Sequence, residues 1–226
     1  AHLDYPRQSA VEAMLGGDRL FSDGRLEQAE AAYRRALEQF AGYTEAHLAL
    51  VRNLVAQERL ADAMAEAERL IADRPDHLAA QIAKADILVL QRRYADAVAV
   101  ARRVEMRDPT NLRNLNVLAT AYIQSARRAE AVAVLRRAVR MAPAWTNVRA
   151  RLAALYVAEG RYDSAVEQYR AALDHEPRNA AVHFLLAQTL HQSLREDRRR
   201  EMRWARRRQH AADAAAALQA VRDIEG

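Results

Sequence analysis

Four of the chain's five prolines, Pro75, Pro109, Pro143 and Pro177, stand 34 residues apart. Alanine keeps the same interval at Ala29, Ala63, Ala97, Ala131 and Ala165. A third column reads Leu20, Leu54, Leu88, Tyr122, Tyr156 and Leu190. A fourth, small everywhere except Val51, reads Gly17, Val51, Ala85, Ala119, Ala153 and Ala187. A period of this length is the mark of stacked supersecondary units, none of which can bury its apolar face alone.

Each unit reads as two helices. In the fifth, Leu152, Leu155 and Tyr156 recur at helical spacing, Glu159-Gly160 interrupts, and Tyr162, Ala165, Val166, Tyr169, Ala172 and Leu173 resume the pattern. Pro177 then closes the unit, because proline cannot continue a helix and biases its predecessor toward extended backbone. The small columns mark places where two helices cross closely and a larger side chain would push them apart. Composition agrees: 51% of residues are hydrophobic but only 6% aromatic, and six Gly and five Pro leave few breaks. That balance favours helices over strands.

The 34-residue pattern resembles the tetratricopeptide repeat family. Within one repeat, that family favours a large residue at position 4, leucine at 7, glycine or alanine at 8 and tyrosine at 11. Alanines follow at 20 and 27, an aromatic at 24, and proline at 32. The fifth unit matches most fully, through Leu152, Ala153, Tyr156, Ala165, Tyr169, Ala172 and Pro177. The second and third depart at Ala67 and Ala101, where an aromatic is usual, and the first at Gly16 and Ala41. The resemblance implies an all-α solenoid of about five and a half helix-turn-helix repeats in a right-handed superhelix. Its units run over 10–43, 44–77, 78–111, 112–145 and 146–179, with a partial unit over 180–194. Residues 1–9 form a lead. After Leu194 the register fails, and 195–226 reads as an Arg-rich helix capping the open apolar end, with its helical stretch from about Asp197 to Asp223.

Catalytic constellations are absent from the sequence: there is no GxxxxGK[ST], no GxSxG and no HExxH. Lack of cysteine removes disulfides and thiolate metal sites. His183 and His191 stand too far apart along one helix to share a metal ion. His47 and His183 fall at position 4, where packing is expected. No catalytic residue, metal or cofactor is therefore expected. No apolar run reaches membrane-span length, and a soluble protein of a bacterial cytoplasm or periplasm is expected. The bacterial origin is suggested by basic residues that are all arginine except Lys84.

In the family this chain resembles, first helices line a concave face through positions 2, 5, 9 and 12. Carried over, the resemblance implies a partner-binding groove containing Met14, Asp18 and Phe21 from the first unit, and Leu48, Arg52 and Val55 from the second. Ile82, Asp86 and Val89 follow, then Asn116, Thr120 and Ile123, then Val157, and finally Phe184 and Gln188. Exposed apolar rows usually mark binding surfaces. The alternative is that the same residues pack on neighbouring first helices and leave no groove. The carboxylate-gripping pattern, lysine at position 5 with asparagine at 9, is replaced here by Met14/Asp18 and Leu48/Arg52.

The second feature is REDRRREMRWARRR, from Arg195 to Arg208, with a net charge of +5 equal to that of the whole chain. Arg195, Arg199, Arg203 and Arg206 form a helical stripe suited to nucleic acid, acidic lipid or an acidic protein. The alternative is a solvated cap in which Glu196 and Asp197 pair with Arg200. The expected function is a non-catalytic scaffold or adaptor holding an apolar or amphipathic protein segment. The rivals are a regulatory or substrate-recruiting segment of a larger enzyme, and an anion-binding protein acting through the arginine helix.

Overall fold

The structure, a computed structural model, describes the backbone of residues 8–225. It describes side chains from 8 to 199 and those of 201, 202, 204 and 208. Eleven helices and no strand occur among the described residues. They are α1 Gln8–Ser22, α2 Leu26–Gln39, α3 Thr44–Ala56, α4 Leu60–Asp73, α5 Leu78–Leu90, α6 Tyr94–Arg107, α7 Leu112–Gln124, α8 Arg128–Met141, α9 Thr146–Ala158, α10 Tyr162–His175 and α11 Ala180–Glu225. Odd-numbered helices are the first of each pair. From α3 onward they begin every 34 residues, and all the second helices do the same.

The chain divides into two compact units, one ending at Met141 and the other starting at Ala142. In the first, every helix packs on the next, and α1, α3, α5 and α7 also touch in sequence. In the second, α9 packs on α10 and α10 on α11.

The small columns are the crossing points. Ala29, Ala63, Ala97, Ala131 and Ala165 are fully buried, as are Ala85, Ala119 and Ala153, with Val51 nearly so. The tightest crossing is Gly17 on α1 against the buried Tyr33 of α2. A Cβ on Gly17 would lie 2.5 Å from Tyr33 Cε1 and 2.7 Å from Cδ1. Tyr33, Tyr122 and Tyr169 are the largest fully buried side chains.

A further column lies in the turn between paired helices. Gly24, Glu58, Arg92, Ala126 and Gly160 all have φ between 58° and 74°. Each ends its first helix in the left-handed conformation. At α7, the Ala126 N–H donates to the Ile123 carbonyl at 3.1 Å and the Arg127 N–H to the Tyr122 carbonyl at 2.8 Å. This is the reverse turn that satisfies the last carbonyls of a helix. Glycine fits it without strain, but three repeats place a side chain there.

Two expected boundaries differ. Helix α1 already includes Gln8 and Ser9, ahead of Ala10. The capping helix over 195–226 is not a separate element, because α11 runs unbroken for 46 residues. No glycine or proline stands between Leu194 and Gly226, and the intervening Arg, Glu, Gln, Leu and Ala are strong helix formers, so nothing stops the helix.

Two measurements check this packing. Ala126→Gly should raise unfolding free energy by about 0.5–1 kcal/mol by relieving the left-handed strain. Gly17→Ala should lower it by about 1–3 kcal/mol, because Tyr33 is enclosed and overpacking outweighs the helix propensity gained. Gly16→Ala, where nothing lies within 4 Å, should instead stabilise by up to about 1 kcal/mol. Urea denaturation of the three variants reads all three signs.

Candidate functional site

In the first unit, α1, α3, α5 and α7 lie side by side, and their positions 5, 9 and 12 share one face. Met14, Phe21, Leu48 and Val55 are half-buried and pack against a core of Tyr33, Leu50, Leu54 and Ile87 among others. Val89 packs in the same way against Leu88 and Ala97, and Ile123 is also half-buried. Each of these side chains thus supports the core with one part and meets solvent with another. Ile82 is different. It is only 2% exposed, so it belongs to the core and offers a partner no surface, because α5 is flanked by both α3 and α7.

Charges on this face join neighbouring helices. Asp18 of α1 accepts a hydrogen bond from the Tyr33 hydroxyl at 2.9 Å and another from Arg52 of α3 at 3.4 Å. The Arg52 guanidinium also lies 5.7 Å from the centre of the Phe21 ring, a cation–π distance. Burial, then the hydrogen bond to Asp18 and its charge, raises the Tyr33 hydroxyl pKa, so this donor stays protonated. Arg113 of α7 reaches Asp86 of α5 at 3.3 Å. Burial pushes the Asp86 carboxyl pKa up, and Arg113 opposes that shift. Thr120 donates its hydroxyl to the Asn116 carbonyl at 2.8 Å, within its own helix.

The remaining residues expected to line a groove lie in the second unit. Val157 is half-buried on α9. On α11, Phe184 is 68% exposed and Gln188 is exposed. With Tyr162, His191, Arg195 and Arg199 they edge a pocket of about 560 Å³. Of the arginine stripe, Arg195 and Arg199 are exposed, whereas the side chains of Arg203 and Arg206 lie outside the described residues. So does Arg200, the partner expected for Glu196 and Asp197; Glu196 lies 3.9 Å from Arg199. Among the described residues, no group of three His, Asp or Glu is placed to hold a metal ion. No described helix is long and apolar enough to cross a membrane.

Sequence reasoning missed what position 4 does. His47 Nε2 faces the Ala41 carbonyl at 2.8 Å, Arg149 Nε donates to the Pro143 carbonyl at 2.7 Å, and His183 Nε2 faces the Pro177 carbonyl at 2.9 Å. Gln81 donates likewise to Pro75. Polar residues in this column therefore tie α3, α5, α9 and α11 to the turn before each. His183, expected to pack, is exposed and makes only this tie.

His47 is buried, and its Nδ1 meets the carboxylate of buried Glu66. Both ring nitrogens face oxygen atoms, contacts that a doubly protonated ring beside the Glu66 carboxylate satisfies. The hydrogen bond to Glu66 raises the His47 pKa and reciprocally lowers that of Glu66. A pocket of about 340 Å³ adjoins them, edged also by Arg34, Leu37 and Arg69. The signal lay in paired columns. Positions 4 and 23 are polar together at His47/Glu66 and at Arg149/Gln168, the latter joined at 3.1 Å. They are apolar together at Leu115/Val134.

The family description "Tetratricopeptide repeat" matches residues 20–87 and 88–155, and "TPR repeat" matches 153–193. No curated protein matches the sequence. Among solved structures, a thermophilic TPR protein from Thermus thermophilus superposes with a TM-score of 0.68 at 23% identity, over 80% of this chain and 98% of that one. PilF of Pseudomonas aeruginosa gives 0.69 at 20% identity, over 82% and 89%. YrrB, described as a TPR protein with an unusual peptide-binding site, gives 0.57 at 16%, over 78% and 91%. These likenesses establish the fold.

The buried ion pair has a testable pH signature. The raised His47 pKa contributes stability that is whole below its ordinary 6.5 and is lost as pH climbs through the higher folded value. The lowered Glu66 pKa contributes stability that is whole above 4.5 and is lost as pH falls through the lower folded value. The pair therefore supports the fold most between those limits. His47→Gln should flatten the decline in unfolding free energy above pH 6.5, measured by urea titration at increasing pH.

Proposed function

Because the chain belongs to the tetratricopeptide repeat family, whose members bind protein partners, we propose that it is a scaffold gripping an apolar or amphipathic segment of another protein. The segment lies along the face of α1, α3, α5 and α7. One observation carries this reading. Adjacent first helices present half-exposed apolar side chains, Phe21, Val55, Val89 and Ile123, beside charges already held by neighbours, Asp18 with Arg52 and Asp86 with Arg113.

Burial of the apolar row against a partner supplies affinity, and the fixed charges supply register and orientation. Because the charges are positioned before the partner arrives, less ordering entropy is lost on binding. A peptide-binding site named for YrrB, a chain of the same fold, supports such a use of these repeats.

A peptide library displayed on phage and selected against the full chain tests the proposal. Selected peptides should carry apolar residues at regular spacing. Val89→Asp combined with Ile123→Asp should weaken their binding at least about tenfold, equivalent to ~1.4 kcal/mol, while circular dichroism shows the helices intact. Unchanged binding by that folded variant would rule this face out.

A further inference from the structure

The cavity beside His47 and Glu66 lies among α2, α3 and α4, apart from the row of Phe21, Val55, Val89 and Ile123. Its volume of about 340 Å³ falls in the range of small-ligand pockets, roughly 300–1,000 Å³. Leu37, Ala41 and Leu50 supply apolar wall. Glu66, only 8% exposed, puts a carboxylate into it. Glu38 and Asp73 stand at its edge, both exposed, and neither is in an ion pair among the described residues.

The two oxygens of Glu66 are unequally served. Oε1 meets Nδ1 of His47. Oε2 has no hydrogen-bond donor among the described residues. Its ion-pair partner, Arg69 Nη1, stands off at 3.7 Å, outside hydrogen-bond range. The Arg69 side chain is 70% exposed, so the chain's own cation leans toward this oxygen from solvent and does not seat on it. Hydrogen bonds to charged groups are the stronger kind, which makes Oε2 an open acceptor at the floor of an apolar-walled cavity. The other arginine at the edge is committed elsewhere. Arg34 donates both Nε and Nη2 to Glu30 Oε1, at 3.1 and 2.9 Å. Glu38, Asp73 and the open oxygen of Glu66 are therefore opposed by Arg69 alone.

We propose that this cavity binds an alkylammonium group, the chemistry of a lysine side chain or of a free aliphatic amine, with the ammonium donating to Glu66 Oε2. Three features select that ligand. An ammonium is a compact charge with three donors, so one recessed oxygen can hold it. A guanidinium binds a carboxylate best through two parallel hydrogen bonds, and His47 already occupies Oε1. A metal ion has too few ligands, since no group of three His, Asp or Glu among the described residues is placed to hold one. The alkyl stem lies along Leu37 and Leu50, burying methylenes while its charged end meets the carboxylate. Glu38 and Asp73 at the mouth draw the cation in. Arg69 moves aside, and because its pairing is exposed and long, little is lost when it does.

Nuclear magnetic resonance titration of the full chain tests the site with n-butylamine and with lysine capped at both ends. Each should shift the amide signals of Leu37, Ala41 and Leu50 saturably, with a Kd of about 1–10 mM. Capped norleucine, which keeps the stem and lacks the charge, should shift none of them. Glu66→Gln should weaken amine binding at least about tenfold. Arg69→Ala, an exposed change that leaves the core intact, should tighten it about two- to fivefold by removing the competing cation. Arg35→Ala, on the same helix as Arg34 but outside the cavity, should change nothing. Val89→Asp with Ile123→Asp should also leave amine binding as it was, so this site and the first-helix face are tested apart. Capped lysine binding as tightly as butylamine assigns the cavity to a side chain of a partner protein, and its exclusion assigns a free amine. No saturation by ~50 mM amine, equal shifts from capped norleucine, or an unchanged affinity in Arg69→Ala overturns the proposal.

Discussion

The structure depends on close contact between the two helices of each repeat, made possible by side chains no larger than the gap allows. One of the two facing columns stays small in every repeat but the second, while the other varies in size. Gly17 stands with Tyr33, Val51 with Ala67, Ala85 with Ala101, Ala119 with Leu135, and Ala153 with Tyr169. Where the first helix gives up its side chain altogether, the second supplies a fully buried tyrosine. Ala67 and Ala101, which stand where the second and third repeats lack an aromatic, are fully buried. With the crossing set, the turns, the alanine columns and the 34-residue step follow.

Lining first helices up side by side creates both the face and its ambiguity. A side chain at position 12 rests partly on the core and partly in water, so one residue supports the stack and still meets solvent. How much surface remains depends on the neighbours. Val89 and Ile123 keep some, while Ile82 on the same helix as Val89 loses nearly all of it. The charges that cross between helices, Arg52 to Asp18 and Arg113 to Asp86, are partly exposed. Such pairs add little to stability.

Polar residues inside the stack are also paired by column. The tie from position 4 to the preceding turn recurs at His47, Gln81, Arg149 and His183 with three different side-chain types. Any donor long enough satisfies that carbonyl. Only in the second repeat does the tie join a buried carboxylate, Glu66, because there both columns happen to be ionisable and enclosed. Elsewhere the same columns hold Gln81 with Val100, Leu115 with Val134, and Arg149 with Gln168.

Read alone, the sequence determined the helix pairs, their 34-residue register and the family. These rest on local periodicity and on breakers such as Pro177 and Gly160, which act within a few residues of themselves. It also placed the columns that cross closely, since a small residue recurring at one interval marks a gap too narrow for a larger one. Tertiary structure decided the rest. The left-handed turn at Glu58, Arg92 and Ala126 could not be read from residues that usually avoid it. The partner of His47 lies 19 residues away on another helix. Burial of Ile82 depends on helices from the units before and after it, and the exposure of Ala187, Leu190 and Leu194 on the absence of any described second helix beside α11. Periodicity tells which way a residue points within its own pair, but what lies beyond that pair is settled only when the pairs are stacked.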